Sequence, residues 1–300
     1  MAAEHEVMTG DTQNPGYRFP QGILATCCIP WREDFTLDER LFRETLQGLL
    51  RETPLIYLFG TAGEGYALSR EQFQHIVSLF ADEMHSAQAD PMVGVISLSL
   101  SEMKYRIAAA MELGVKSFQI SLPSWDTLTP AETVIFFNEI LGTFPEASFF
   151  HYNSTRTGRM VTPVEYAELS ARHKNLVGAK ITTDSTRYIE SIMNLKLPLR
   201  LFFTSPGYAY ASQFGACGFL IAIASCNWDR ARKYYEAGRS GNRELLLSMQ
   251  GELGRMTGEL LAAVGTSGHI DGAYDKMFLK MHNPDFPLRL LPPYAYPPES

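Results

Sequence analysis

Residues 54–80, "PLIYLFGTAGEGYALSREQFQHIVSLF", decide the fold of this chain. The stretch begins as a short apolar run, passes through a loop with closely spaced glycines, and continues into a helical pattern. A buried strand, a tight loop and a helix in this order make one β/α unit. Glycines let such a loop turn sharply and come close to a neighbouring group. What that group is depends on the rest of the chain.

The same alternation continues through most of the sequence. Apolar runs that favour strands occupy residues 22–30, 55–60, 91–97, 117–123, 148–153, 176–182, 200–205 and 218–224. They are continuous rather than alternating, which is typical of strands covered on both faces. Helical segments separate them, and two of these open with a threonine N-cap followed by proline, at Thr129-Pro130 and Thr162-Pro163. Eight strands alternating with helices predict an α/β fold, the closed (β/α)8 TIM barrel with a C-terminal helical extension.

The pattern also predicts the domain organisation. Residues 1–17 are expected to form a flexible N-terminal extension, residues 18–228 the barrel, and residues 229–300 a C-terminal helical layer with a proline-rich tail. An open, doubly wound sheet is the alternative. It is disfavoured because no G-x-G-x-x-G motif follows the first strand.

Composition excludes several classes of function. The chain has 300 residues, of which 45% are hydrophobic and 20% charged, and a formal net charge of −7, which argues against a nucleic-acid partner. The longest apolar run, residues 218–226, is too short to span a bilayer, and the N-terminus lacks a signal peptide. A cytoplasmic protein with no membrane partner is therefore expected. Cys27 and Cys28 lie inside an apolar strand and no C-x-x-C pair occurs, which predicts buried free thiols and no metal site.

Polar residues cluster at the carboxyl ends of the predicted strands, where barrel enzymes carry their reactive groups. Lys180, in "NLVGAKITT" (175–183), has apolar neighbours on both sides. Burial is expected to lower the pKa of this lysine and leave a neutral amine, a nucleophile that forms Schiff bases with ketones and aldehydes. The alternative is a lysine that points outward between helices or pairs with a glutamate.

Two neighbouring elements favour the reactive interpretation of Lys180. Tyr152, at the end of the preceding strand, is a candidate proton-transfer group, although a buried tyrosine with a purely structural role is the alternative. The Thr61 hydroxyl and the exposed amides of the Gly-rich loop suit a substrate carboxylate. Glu64 in that loop is interpreted as a structural acceptor of hydrogen bonds from the loop backbone rather than as a catalytic group.

These motifs resemble those of a known family. "GTAGEGYALSREQ" (60–72), "HYN" (151–153) with "RTG" (156–158), and "NLVGAKITTDS" (175–185) are similar, in order and separation, to the dihydrodipicolinate synthase/N-acetylneuraminate lyase family of class I aldolases. The resemblance runs from about Phe19 to the terminal "PLRLLPP" (287–293). It implies a (β/α)8 barrel, usually in a homotetramer built as a dimer of dimers, that acts on a small 2-oxo acid without metal or organic cofactor.

The resemblance also implies roles for individual residues. Lys180 would form the Schiff base, typically with pyruvate, and Tyr152 would shuttle protons. Thr61 and the Ala62 amide would hold the substrate carboxylate. The implied substrate-binding set is completed by four further residues at strand ends: Thr182, Gly207, Trp125 and Arg156.

Departures from the family pattern bear on the substrate. Ala62 and Trp125 stand where the synthases of lysine biosynthesis have a threonine and a tyrosine, and the segment between Tyr152 and Arg156 is one residue short, which leaves open whether Arg156 reaches the site. Residues 206–212, "PGYAYAS", replace the acidic pair of the sialate lyases. An aldolase or dehydratase acting on another 2-oxo acid is therefore expected. The aromatic residues Trp125, Tyr208 and Tyr210 suggest a less polar substrate.

The sequence thus predicts a cytoplasmic Schiff-base lyase that acts on a 2-oxo acid and releases pyruvate, and that assembles as a homotetramer or dimer. Two alternatives stay open: dihydrodipicolinate synthase proper, and a non-catalytic barrel that binds an organic acid.

Overall fold

Eight parallel strands close into a barrel in sequence order, as predicted. The computed structural model of the chain describes residues 16–264 and 268–296. Strands β1 to β8 are, in order, Ile23–Cys27, Ile56–Leu58, Met92–Gly94, Ser117–Ile120, Ser148–Asn153, Leu176–Ile181, Arg200–Phe203 and Gly218–Leu220. Several are shorter than the apolar runs that predicted them. Most of the remaining residues of those runs belong to the loops at the carboxyl end of the barrel, here called the mouth.

Most of the helices cover the outside of the barrel. Helices α1 to α10 are, in order, Glu39–Leu50, Arg70–Ser86, Leu100–Glu112, Pro130–Leu141, Pro163–Arg172, Thr186–Asn194, Ser205–Ala211, Trp228–Ser240, Arg243–Val264 and Asp271–Lys280. The predicted caps at Thr129 and Thr162 are confirmed, and each forms a capping box with a glutamate three residues on. These local signals fix where α4 and α5 begin.

The barrel has an inner and an outer hydrophobic core. The outer and larger core lies between the strands and the helices. The inner core fills the barrel with side chains from seven strands, namely Leu24, Tyr57, Met92, Phe150, Val177, Phe202 and Leu220. Because the interior is packed, reactive groups can be accessible only near the mouth.

An irregularity in the pairing of β5 with β6 places Lys180. Phe149 pairs with Leu176 but Phe150 pairs with Gly178, so β6 carries one extra residue at this point. Strict alternation from the inner residue Val177 would turn Lys180, three residues on, to the outside. The extra residue restores the inward direction, and Lys180 enters the barrel.

Both ends of the chain contact the barrel. Residues 1–15 of the predicted extension lie outside the described residues, but Tyr17 stacks on Arg200, and Arg18 donates to backbone carbonyls near the end of α5. The proposed domain boundaries remain predictions. No helix within 16–264 and 268–296 has the length and apolar character needed to cross a membrane.

The cysteines are free, as expected, and Cys27 and Cys28 are buried. Burial raises the pKa of Cys27 to about 12, so its thiol stays protonated and unreactive near neutral pH.

Candidate active site

Lys180 reaches across the barrel to a tyrosine on the opposite wall. Its side chain is only 6% exposed, and its Nζ donates to Tyr57 Oη at 2.9 Å. Since β6 and β2 lie opposite each other in the eight-stranded barrel, this bond spans the interior. The alternatives of an outward-pointing lysine and of a lysine paired with a glutamate are both wrong.

Tyr152 flanks the same amine. It is the register partner of Lys180 on β5, and the lysine Nζ lies 4.0 Å from the centroid of its ring. Burial raises the pKa of Tyr152, but the ammonium of Lys180, Arg156 and a hydrogen bond from Thr182 together bring that pKa below its ordinary value. Tyr152 is therefore the more acidic of the two phenols that contact Lys180.

The expected low pKa of Lys180 is wrong. Burial by itself lowers the pKa, but electrostatic contact with Tyr57 and Tyr152, the hydrogen bond to Tyr57 and the charge of Asp271 raise it above the ordinary value. The ammonium also lies over the faces of both tyrosine rings, a favourable cation–π arrangement. The amine is stored in its protonated form and must lose a proton before it can attack a carbonyl.

The glycine-rich loop after β2 packs closely against backbone. A Cβ at Gly63 would lie 2.8 Å from Phe59 N, and one at Gly65 would lie 2.7 Å from Phe59 O. Phe59 itself has a positive φ of 61°, which turns the chain sharply at the end of the strand. The glycines are needed because the loop folds back on its own strand, and this geometry places Thr61 and Ala62 at the mouth.

Glu64 in this loop is a buried structural anchor. It accepts from Trp31 Nε1 at 3.0 Å and from the Leu291 amide at 2.5 Å, and it pairs with Lys276 Nζ at 2.6 Å. The structural role predicted for Glu64 is confirmed, but its partners lie in other parts of the chain and not in the loop backbone. The loop is thereby tied to α10 and to the C-terminal segment.

Helix α10 lies across the mouth. A Cβ on Gly272 would come within 3.2 Å of the Ala62 carbonyl oxygen, so the helix packs directly on the loop. One residue earlier, Asp271 binds both terminal nitrogens of Arg156, at 2.8 and 2.9 Å. Arg156 Nη1 also donates to Tyr152 Oη at 3.1 Å. Despite the shortened segment after Tyr152, Arg156 thus contacts the site.

Asp275 is a second carboxylate of α10 at the mouth. It follows Asp271 by one turn and so lies on the same helix face. Burial, and then the charge of Asp271, raise its pKa to about 7, partly offset by the ammonium of Lys180. Tyr57 and Cys28 also lie within electrostatic range of Asp275. The mouth therefore carries a carboxyl group that titrates near neutral pH.

The other predicted residues are more dispersed. Thr182 bonds Tyr152 and is exposed at the mouth, and Thr61 and Ala62 are buried beneath α10. Gly207 lies in the first turn of α7, and Trp125 is 87% exposed in the loop after β4. No hydrogen bond joins Thr61, Gly207 or Trp125 to the Lys180–Tyr152 pair in the part of the chain that the structure describes.

One aromatic expectation is wrong. Tyr208 does not line a pocket: it is fully buried, and its Oη donates to the Tyr235 carbonyl oxygen at 2.6 Å. Its ring packs against Phe219 and Tyr234 between α7 and α8. It therefore gives no support to a less polar substrate.

Sequence reasoning missed Tyr57, Asp271 and Asp275. Tyr57 has the only polar group in the run 55–60, just before the loop, and that hydroxyl was the available signal. The two aspartates lie far along the chain, and only the docking of α10 on Glu64 brings them to the mouth. Among the described residues no group of three or more His, Cys, Asp or Glu side chains is arranged to hold a metal ion.

The chain also matches a known protein family. Residues 19–284 match the Dihydrodipicolinate synthetase family. An uncharacterized DapA-like lyase of Thermofilum pendens is 26% identical, over 78% of this chain and 80% of the relative. An N-acetylneuraminate lyase of Clostridium perfringens is 22% identical, over 83% of this chain and 85% of the relative.

Solved structures share the fold. A prophage protein of the dihydrodipicolinic acid synthase family from E. coli K12, solved in complex with pyruvate, superposes with a TM-score of 0.80. It is 16% identical, and the match covers 93% of this chain and 94% of that chain.

Proposed function

Since this chain belongs to the Dihydrodipicolinate synthetase family of class I aldolase-type lyases, we propose that Lys180 forms a Schiff base with a 2-oxo acid, with pyruvate as the common fragment. The observation that carries the proposal is the position of Lys180. Its amine is buried at the mouth between two phenols, 2.9 Å from Tyr57 Oη and 4.0 Å from the centroid of the Tyr152 ring.

The proposed reaction begins with loss of a proton from the Lys180 ammonium. The acceptor is Tyr152 as its phenolate, which the lowered pKa makes more available, and its ring lies against the amine. The neutral amine adds to the keto carbon of the substrate, water leaves, and an imine remains. The Thr61 hydroxyl and the Ala62 amide hold the substrate carboxylate in this proposal.

The protonated imine withdraws electrons from the adjacent carbon. In aldol cleavage Tyr152 removes the proton of the hydroxyl on the departing half, the carbon–carbon bond next to that carbon breaks, and its electrons form the enamine while an aldehyde leaves. In dehydration Tyr152 first removes a proton from the adjacent carbon to give the enamine, which then expels the hydroxyl of the next carbon, and the returned proton lets it leave as water. Arg156 and Thr182 hold the Tyr152 hydroxyl in place for this transfer. Aldol cleavage and dehydration both follow from this arrangement.

Synthesis of the lysine precursor, another activity of the family, fits the residues of this site less well. Ala62 and Trp125 replace the residues on which synthesis of the lysine precursor depends in the resemblance described above. We therefore place the protein among the lyases of the family rather than the lysine-pathway synthases. We further propose that the protein works in the cytoplasm. We also propose that it forms a homo-oligomer, because exposed Trp125 borders the mouth as an apolar side chain that a second copy can cover.

Borohydride trapping tests the proposal. The native chain is incubated with pyruvate and sodium borohydride, and the intact mass is compared with that of Lys180→Ala and of Lys174→Ala, a control that removes an exposed lysine near the start of the same strand. The expected result is one reduced pyruvyl group on the native chain and on Lys174→Ala, and none on Lys180→Ala.

The alternative is a barrel that binds an organic acid without turnover. It is favoured if the native chain binds pyruvate saturably, for example by calorimetry, yet gains no mass under borohydride. An adduct that persists in Lys180→Ala would contradict the role of Lys180 itself.

A further inference from the structure

The Arg156 guanidinium, which lies beside the reacting groups, is already paired with other side chains of the protein. Arg156 Nη1 donates to Tyr152 Oη at 3.1 Å, and both Nη atoms bind the Asp271 carboxylate in a bidentate pair. Planar guanidinium and carboxylate groups match each other well in this geometry. A carboxylate on the substrate would have to displace Asp271 in order to pair with Arg156.

Asp271 is held in this position by its helix. It is the first residue of α10, where the helix dipole favours a negative charge. Gly272 packs on the Ala62 carbonyl, and Lys276 is anchored in a fully buried pair with Glu64. Asp271 is thus presented by a docked helix and not by a free loop.

The part of the substrate beyond the imine must lie beside this pair. If Thr61 holds the carboxylate of the 2-oxo acid and Lys180 holds its keto carbon, the bond that breaks lies near Tyr152 Oη. The remaining half of the substrate, which leaves as an aldehyde, then extends towards Arg156, the neighbour of that hydroxyl.

The surroundings of that half are acidic and contain a free hydroxyl. Asp275 adds a second carboxyl group on the same helix face as Asp271. Tyr66 Oη is buried without a hydrogen-bond partner among the described residues, within electrostatic range of Arg156 and Asp271. A neutral oxygen on the substrate can accept from Tyr66, whereas a carboxylate would meet the charge of Asp271 and the nearby carboxyl group of Asp275.

We propose that Asp271 is a specificity-determining residue that neutralises Arg156 and restricts the aldehyde half of the substrate to uncharged molecules. This inference rests on the proposed Schiff-base function and names the class of aldehyde that the site accepts. The discriminating feature is repulsion of a carboxylate as much as attraction of a neutral group.

The test compares two aldehydes that differ in one charge. Aldol addition to pyruvate is measured with succinic semialdehyde and with its methyl ester, for the native chain and for Asp271→Asn. The native chain is expected to use the ester with at least about fivefold higher kcat/KM, the scale of a half-exposed charge pair. In Asp271→Asn the preference shifts towards the acid by at least about fivefold, through a lower KM.

Two further variants show whether the change in preference between acid and ester depends on Arg156. The double variant Asp271→Asn/Arg156→Gln is expected to lose the gain in use of the acid. Glu139→Gln is the matched control, because it breaks a pair with Lys104 that is also 2.8 Å long and partly exposed, but lies between α3 and α4. It is expected to leave the ratio unchanged.

The proposal is overturned if the native chain uses the acid as well as the ester, or if Asp271→Asn leaves the ratio within about twofold. If neither aldehyde reacts, calorimetric titration of the borohydride-reduced pyruvyl protein with succinate decides. Tighter binding by Asp271→Asn supports the proposal and equal binding overturns it. Failure of the proposed function is seen separately, as absence of the pyruvyl adduct in the native chain, and the succinate titration is then made on the untreated protein.

Discussion

Glu64, in the loop after β2, and Lys276, in α10, form an ion pair 2.6 Å long with both side chains fully buried. Lys276 Nζ also donates to the Arg289 carbonyl oxygen, and Glu64 accepts from Trp31 and Leu291. The pair joins the loop that carries Thr61 to the helix that carries Asp271 and Asp275. The Glu64–Lys276 pair therefore holds the loop after β2 and helix α10 together around the proposed substrate site.

Breaking this pair is expected to be costly. Lys276→Met leaves the Glu64 carboxylate buried without its counter-charge, which lowers the free energy of unfolding by about 3–5 kcal/mol. Urea denaturation measures the change. The double variant Glu64→Gln/Lys276→Met is expected to recover part of the loss, because it removes the uncompensated charge.

The matched control for that measurement is Lys104→Met, which removes a partly exposed pair with Glu139. It is expected to change the free energy of unfolding by at most about 1 kcal/mol. If Lys276→Met costs no more than this control, the anchoring role of the Glu64–Lys276 pair is wrong.

Tyr57 stabilises the ammonium form of Lys180, so Tyr57→Phe should change the pH dependence of imine formation. Loss of a hydrogen bond to a charged donor is expected to lower the pKa of Lys180 and shift the rise in trapping rate to lower pH by about one to two units. The rate of borohydride trapping with pyruvate across pH measures this. Tyr188→Phe is the control and should leave the profile in place, because Tyr188 is a partly buried tyrosine whose hydroxyl contacts Asn153 and the Val161 carbonyl instead. An unshifted profile in Tyr57→Phe would contradict the account.

Asp275 should make the protein less stable as pH rises. Its pKa is raised from 3.8 to about 7, so the folded state binds its proton more tightly than the unfolded state does. The free energy of unfolding therefore falls between about pH 4 and about pH 7 through this group, by at most about 4 kcal/mol. Asp275→Asn is expected to be more stable than the native chain at about pH 8, with little difference near pH 4.

His151 has the opposite effect, and the comparison must separate the two. Burial lowers the pKa of His151 from 6.5 to about 3, so its contribution to stability increases as pH rises through that range. Since Asp275→Asn keeps His151, the difference between variant and native chain isolates Asp275. A difference that is the same at both pH values would refute the raised pKa.

The tight loop should not accept a side chain at Gly63. Gly63→Ala places a Cβ 2.8 Å from the Phe59 nitrogen and 3.1 Å from the Cys27 oxygen, both backbone atoms that cannot move aside alone. We expect a loss of about 1–3 kcal/mol in the free energy of unfolding and slower trapping of pyruvate. Gly258→Ala in α9, where no atom lies within 4 Å of the added Cβ, is expected to stabilise by up to about 1 kcal/mol. Equal effects of the two substitutions would exclude a steric role for Gly63.

Local signals were enough to predict the barrel. The apolar runs, the threonine–proline caps at Thr129 and Thr162, and the order of elements depend on nearby residues, and the structure agrees with each. Lys180 and Tyr152 could be paired in advance because consecutive strands of a barrel are neighbours.

Contacts between distant segments could not be predicted. The inward direction of Lys180 depends on one extra residue in β6, and its pKa depends on Tyr57 across the barrel. Asp271 contacts Arg156 because helix α10 is docked at the mouth by the pair between Lys276 and Glu64, which lies more than two hundred residues earlier in the chain. Burial of Lys180 suggested a low pKa, whereas its contacts with Tyr57 and Tyr152 raise the pKa above the ordinary value.

Peptide mapping of the trapped protein tests the central claim most directly. After incubation with pyruvate and borohydride, the chain is digested with trypsin, which cleaves after unmodified lysine and arginine. The account predicts that cleavage after Lys180 is lost, and that a single peptide, residues 175–187, carries one reduced pyruvyl group on Lys180. A pyruvyl group found on another lysine such as Lys276, or complete cleavage after Lys180 with no modified peptide, would contradict it.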